Sequence, residues 1–100
     1  MNNAFWNCNN LVSIGDLSNW NVSNVKNMKR VFCICKQLKS VGDLSNWDVS
    51  NVENMDRMFF YCEKIKSVGD LSNWNVSSVK YMGDMFKESG ITNIPKWYKK

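Results

Sequence analysis

The sequence repeats itself with a period of 27 residues. The segment Gly-Asp-Leu-Ser-Asn-Trp begins at Gly15 and returns at Gly42 and Gly69, and phenylalanines keep the same phase at Phe32 and Phe59. A fixed period of this length is typical of proteins in which one unit cannot bury its apolar face alone and must stack on its neighbours. The 100 residues hold about 3.7 such units.

The repeat accounts for the whole chain and leaves no linker, which predicts a single repeat domain over residues 1–100. We divide it into a partial first unit 1–22, units 23–49 and 50–76, and a last unit with a C-terminal cap at 77–100. In the cap, Gly90 is expected to end a helix, Ile91 and Ile94 to continue the core, and Pro95 to protect the outer edge of the stack.

Within a unit, one segment has the apolar spacing of a helix. Ser50 followed by Glu53 resembles a capping box, so we expect a helix over about 51–60 and equivalent helices after Ser23 and Ser77. The residues that would share one face of this helix are Val52, Met55, Met58 and Phe59.

A second segment, around Ser40, Val41 and Gly42, predicts a strand of two to four residues that stacks on its copies. The predicted fold class is therefore α/β: a leucine-rich-repeat-like solenoid of about 3.7 stacked 27-residue coils, each a short parallel strand plus a short helix. Strands repeat at about 4.8 Å and helices at about 8–10 Å, so the stack is expected to curve.

Stacking would place equivalent residues above one another in structural columns. We interpret the tryptophan column as core rather than a ligand platform, and the cysteine column as buried thiols rather than zinc ligands or a disulfide, since no C-x-x-C is present. The asparagine column is expected to satisfy backbone groups. The members are Trp20, Trp47, Trp74, Asn19, Asn46, Asn73, Cys8, Cys35 and Cys62.

Asp16, Asp43 and Asp70 would also lie at one level, where like charges repel unless something compensates. Amides of the following turn are the expected partners, because short aspartate turns bond their own main chain. A bound cation is the alternative.

Composition narrows the classes of function. The chain has no histidine, which removes the commonest general base and metal ligand, so we expect no enzyme activity, no cofactor and no metal. Its 13 basic and 9 acidic residues are interspersed without a nucleic-acid motif, so a nucleic-acid partner is disfavoured despite the basic tail from Pro95 to Lys100. Neither a signal peptide nor an apolar run long enough to span a membrane is present.

Positions that differ between units indicate the solvent-facing surface. Side chains beside the predicted strand make one lateral face basic, and this is the candidate binding face: Lys36, Gln37, Lys39, Lys64 and Lys66. Repeat proteins commonly bind partners through such extended faces. We hypothesise a non-enzymatic module that binds a protein or glycan on another cell through this face. The alternative is a structural spacer or self-assembly module that binds another copy by end-to-end stacking.

The run from Leu44 to Phe59, followed by Cys62, resembles the BspA-like variant of leucine-rich repeats, and more narrowly the repeats of mycoplasma surface lipoproteins and related bacterial surface proteins. The resemblance covers nearly the whole chain. It implies a β/α solenoid at the cell surface or outside the cell, with adhesion or host-molecule binding as the function usually suggested for a family of which much has no assigned activity. This sequence departs from those proteins by lacking an export signal, a lipidation cysteine near the start and a wall anchor, so the expected surface location requires the chain to be a piece of a longer protein.

Overall fold

A computed structural model describes residues 15–98, in which consecutive repeats are joined by backbone hydrogen bonds. We call residues 28–35, 55–62 and 82–89 the three turn segments. Every second amide of the first two turn segments donates to a carbonyl of the next repeat, in or immediately before its turn segment, at 2.7–3.0 Å. The donors Met28, Arg30, Phe32 and Ile34 bond to the carbonyls of Asn54, Asp56, Met58 and Phe60. The donors Met55, Arg57, Phe59 and Tyr61 bond to those of Tyr81, Gly83, Met85 and Lys87.

The amides in between close tight turns within their own segment. In the second turn segment, the amide of Met58 donates to the carbonyl of Met55, and Cys62 likewise donates to Phe59, each a bond from residue i+3 to residue i. Two non-glycine residues there have positive φ, Arg57 at 55° and Tyr61 at 58°. The segment is thus a series of turns with left-handed residues at four-residue intervals, and alternate amides face the next repeat.

The helix prediction is therefore wrong, and residues 15–98 contain no α-helix. A helix needs each amide to bond four residues back along the same segment. Here half of the amides are taken by the next repeat, and residues at positive φ cannot continue a right-handed helix. The predicted capping residue Ser50 instead donates its hydroxyl to Asp48 at 2.6 Å. Apolar residues three or four apart arise from consecutive turns as readily as from a helix.

The predicted strand at Ser40–Gly42 is also wrong. The only bridges in the described part of the chain are two isolated parallel ones, Asn27 with Asn54 and Asn54 with Tyr81. Around Val41 one inter-repeat bond forms, from the amide of Leu17 to the carbonyl of Val41 at 2.9 Å. The amide of Gly42 turns back to the Ser40 hydroxyl instead of extending a ladder.

These findings overturn the predicted fold class. The chain is not an α/β solenoid of coils with a strand and a helix each; residues 15–98 form a compact body of turns measuring 33 × 27 × 22 Å. The described residues also hold no helix with the length and apolarity that a bilayer crossing requires.

One apolar core runs through the body. Its largest buried side chains come from equivalent positions in successive repeats, such as Phe32 and Phe59, whose rings stack with centroids 5.5 Å apart. Phe86 continues this stack at 5.7 Å from Phe59. In the last repeat Ile91 is buried, whereas Ile94 is 40% exposed and does not continue the core as expected.

Candidate binding surface

The five residues of the candidate face are all exposed. We call them the lysine strip: Lys36, Gln37, Lys39, Lys64 and Lys66. They alternate with the buried side chains of Leu38 and Ile65, which anchor the backbone beneath them. Anchoring by the core keeps these side chains in solvent while holding their Cα positions.

A hydrogen bond joins the strip across two repeats. The ammonium of Lys64 donates to the side-chain oxygen of Gln37 at 2.8 Å, between residues that are 27 apart in sequence. The stem of Lys66 lies close to Gly90 of the last repeat. The exposed Glu63 is an acidic neighbour of the strip, one residue before Lys64. The arrangement suits several polar or anionic groups spaced along an extended partner.

The tryptophan column is an aromatic stack that ends in a residue the periodicity missed. Trp47 and Trp74 are buried and stack at 6.4 Å, and Trp97 stacks on Trp74 at 6.1 Å. Trp20, by contrast, is 41% exposed. Each indole nitrogen of the stack donates to a leucine carbonyl one repeat back, as Trp74 does to Leu44 at 2.9 Å.

Trp97 lies 23 residues after Trp74 rather than 27, so the repeat phase did not reveal it. The sequence instead suggested that it belongs to a basic tail. In the structure its indole donates to the carbonyl of Leu71 at 2.7 Å, so packing occupies this side chain.

The other two columns differ from each other in burial. Asn19, Asn46 and Asn73 are exposed in surface turns. Cys35 and Cys62 are buried, with the additional buried thiol of Cys33 nearby, whereas Cys8 lies outside the described residues. The thiol of Cys62 donates to the carbonyl of Phe32 at 2.7 Å, and burial raises its pKa strongly. A neutral, buried thiol is a poor nucleophile.

The expected partners of the aspartate column are confirmed. Asp16, Asp43 and Asp70 each accept the amide two residues on, at 2.9–3.0 Å. In each case the residue two positions on is a serine, and its amide and its side chain both bond the carboxylate. These bonds lower the pKa of all three carboxyls, and the amide bond contributes most. Within residues 15–98, no cluster of three or more ligating side chains could hold a metal ion.

Two clefts were not foreseen. The first, of about 280 Å³, is lined by charged residues of the turn segments, among them Lys29, Arg57 and Asp84. In it the Arg57 and Asp84 side chains approach to 4.0 Å, and both are about half exposed, which makes this a weak surface pair. The second, of about 730 Å³, lies against the last turn segment and includes Phe86, Ile94 and Tyr98. No sequence signal points to either cleft, because both depend on how the repeats are placed side by side.

Comparison with known proteins identifies a family. The family described as "Mycoplasma protein of unknown function, DUF285" matches residues 1–99. No curated protein and no solved structure matches the chain.

Proposed function

We propose that this chain, which belongs to the DUF285 family of mycoplasma proteins of unknown function, is a non-enzymatic binding module that recognises a protein or glycan through the lysine strip. The observation that carries the proposal is the continuity of the strip across two repeats, with the Lys64 to Gln37 hydrogen bond joining them. All of its side chains are exposed, so a partner reaches them without any opening of the core.

Charge indicates the chemistry of the partner. Four lysines against the one neighbouring carboxylate of Glu63 favour a ligand with carboxylate or sulfate groups. A single exposed ion pair contributes only about 0–1 kcal/mol. Several pairs along one extended ligand act together, because the first contact raises the effective concentration of the next. An extended acidic polypeptide or an anionic glycan meets this requirement.

The resemblance to BspA-like surface repeats supports the same proposal. The run from Leu44 to Phe59 resembles the repeats of bacterial surface proteins for which adhesion or host-molecule binding is the function usually suggested. We therefore propose a location at the cell surface or outside the cell. There, the partner is a protein or glycan of another cell.

The test is binding of the purified chain to arrays of acidic and neutral glycans and to extracellular host proteins. The informative variant is Lys39→Glu with Lys66→Glu, since both residues are exposed on the strip. The matched control is Lys26→Glu with Lys80→Glu, which changes the net charge equally at exposed lysines outside the strip.

We expect the strip variant to lose at least about tenfold in affinity, a loss of about 1.4 kcal/mol, and the control to bind like the parent chain. Binding should also weaken as salt is added, because exposed charges are screened. Equal losses in both variants would show a nonspecific charge effect, and no retained ligand on any array would count against the proposal.

A further inference from the structure

Both arginines of this chain line the same cleft. The sequence holds eleven lysines but only two arginines, Arg30 and Arg57, which occupy equivalent positions of consecutive repeats. They meet at the cleft of about 280 Å³ that lies across the three turn segments. We call it the arginine cleft. Each turn segment contributes one pair of neighbouring residues to its lining: Lys29, Arg30, Asp56, Arg57, Gly83 and Asp84.

Hydrogen bonds between repeats fix the backbone beneath the arginine cleft. The amide of Arg30 donates to the carbonyl of Asp56 at 2.9 Å, and the amide of Arg57 donates to that of Gly83 at the same distance. Both arginines have the left-handed φ of these turns, 59° and 55°. Each arginine side chain therefore starts from a main chain that is already held in place, which lowers the cost of ordering it around a ligand.

Two side-chain contacts orient Arg57 further. Its guanidinium carbon lies 5.3 Å from the centre of the Phe60 ring, a cation–π contact. Its Nε lies 4.0 Å from a carboxylate oxygen of Asp84. Over residues 15–98 the guanidinium makes these two polar contacts, so the N–H groups of its terminal nitrogens remain available to the oxygens of a ligand.

The other two cations of the cleft, Lys29 and Arg30, are partly buried and have no close counterion. Among residues 15–98, Arg57 with Asp84 is the one pair of opposite charges within 4.0 Å, and residues 1–14 contain no aspartate or glutamate. Asp56 lines the cleft as well, but its Oδ1 accepts the amide of Gly83 at 2.6 Å. Three cations against two carboxylates, one of them engaged by the backbone, favour an anion in the cleft.

The lining also selects the kind of anion. The planar donors of a guanidinium match phosphate oxygens in pairs, and such charge-assisted bonds are the strong ones. A phosphomonoester carries a charge of about −1.5 to −2 at pH 7 and three acceptor oxygens, which suits three surrounding cations better than a carboxylate does. The volume lies just below the range of about 300–1,000 Å³ for drug-sized ligands, so the cleft fits a compact group rather than a long one.

We propose that the arginine cleft binds a phosphoryl group, either as free phosphate or as the phosphomonoester of a small molecule. Arg30 and Arg57 donate to its oxygens from consecutive repeats, and Lys29 supplies a third positive charge. The bound anion also offsets the repulsion between the like charges of the two arginines. No residue of the lysine strip lines this cleft, so the inference goes beyond the proposed function and fails or succeeds separately from it.

The test is titration of the 100-residue chain with inorganic phosphate, followed in ¹H–¹⁵N spectra. Because the chain has two arginines, the Nε–H signals report on this cleft alone. We expect both to shift saturably, with a Kd near about 1 mM, while amides of the lysine strip stay unchanged. Acetate at equal ionic strength should bind at least about tenfold more weakly. Equal binding of acetate, or no saturation with phosphate, would overturn the inference.

Glycerol 3-phosphate separates the two sources of the phosphoryl group. Tighter binding than that of inorganic phosphate assigns the cleft to a phosphomonoester, and equal or weaker binding assigns it to free phosphate. Both results support the proposed chemistry. Absence of binding by both probes contradicts it.

The informative variant is Arg30→Asn with Arg57→Asn, since asparagine adopts positive φ more readily than most residues. Followed at the backbone amides of the cleft, its phosphate binding should weaken at least about tenfold. The matched control, Lys39→Asn with Lys66→Asn, removes the same charge from the lysine strip and should bind phosphate like the parent chain. Equal affinities of the arginine variant and the parent would refute the site.

Asp84→Asn gives a test that a folding defect cannot imitate. It removes the carboxylate beside Arg57, so phosphate binding should strengthen by about two- to fivefold. Weaker binding in this variant would count against the proposal. If the double arginine variant fails to fold, this gain and the arginine signals of the parent chain still decide.

Discussion

Gly42 packs directly against the carboxylate of Asp16 from the preceding repeat, so closely that a Cβ on Gly42 would overlap the Asp16 oxygen. Gly69 has the same relationship to Asp43. The carboxylate is held there by the amide of Ser18, to which it bonds at 2.9 Å. The repeated Gly-Asp pair therefore has a physical reason: the aspartate of one repeat needs the space that the glycine of the next leaves open.

Gly42→Ala should destabilise the protein by about 2–4 kcal/mol for two reasons. Alanine is strained at the backbone φ of +87°, and its Cβ would overlap the side chain of Asp16. Gly15→Ala is the matched control, because its φ is +79° and nothing lies within 4 Å of the new Cβ. It should cost only about 1–2 kcal/mol. Urea unfolding measures both. In an Asp16→Ala background, the Gly42→Ala cost should fall toward that of the control without reaching it, because the backbone nitrogen of Leu17 still lies 3.2 Å from the new Cβ. An unchanged cost in that background would contradict the contact.

Arg57→Gly should give a more stable protein than Arg57→Ala, by about 1 kcal/mol. Both variants lose the same arginine contacts, and only glycine adopts the φ of 55° without strain. In a helix the order is reversed, since glycine there costs about 1 kcal/mol relative to alanine. Thermal unfolding of the pair therefore separates the observed turns from the helix that the periodicity indicates, and an advantage for alanine would restore the helix.

Trp74→Phe should cost about 0.5–1.5 kcal/mol, because it removes the indole hydrogen bond to the Leu44 carbonyl, which keeps the amide of Trp47 as its other donor. Trp20→Phe should cost less, since Trp20 is 41% exposed. Chemical denaturation followed by far-ultraviolet circular dichroism avoids dependence on the indole signal. A larger loss at Trp20 than at Trp74 would be inconsistent with the burial described here.

Stability should fall as pH drops below about 4. Hydrogen bonds lower the folded-state pKa of Asp16, Asp43, Asp48 and Asp70, so each contributes stability above its unfolded pKa and loses it as pH falls through its folded pKa. Asp48→Asn keeps the turn acceptor, as Asn21 and Asn75 do in the other repeats. This variant should have a shallower acid dependence of its melting temperature, and an unchanged slope would exclude Asp48 from the acid transition.

The sequence alone determined the period, the apolar positions and the local polar turns. Equivalent residues such as Phe32 and Phe59 meet in the core, and Asp43 bonds the amide of Ser45, because both outcomes depend on spacing and short-range chemistry. The exposure of the lysine strip followed from its place between buried residues.

Only the tertiary structure decided the backbone. Whether the amide of Arg57 bonds within its own segment or to Gly83 in the next repeat depends on a neighbour 26 residues away, and apolar spacing is the same in both cases. The place of Trp97 in the aromatic stack also depends on how the last repeat is packed. So does the lack of a hydrogen-bond partner for the amides of Met82 and Asp84 among residues 15–98. Local periodicity shows which side chains avoid water, whereas the partners of backbone groups are chosen by competition between near and distant segments.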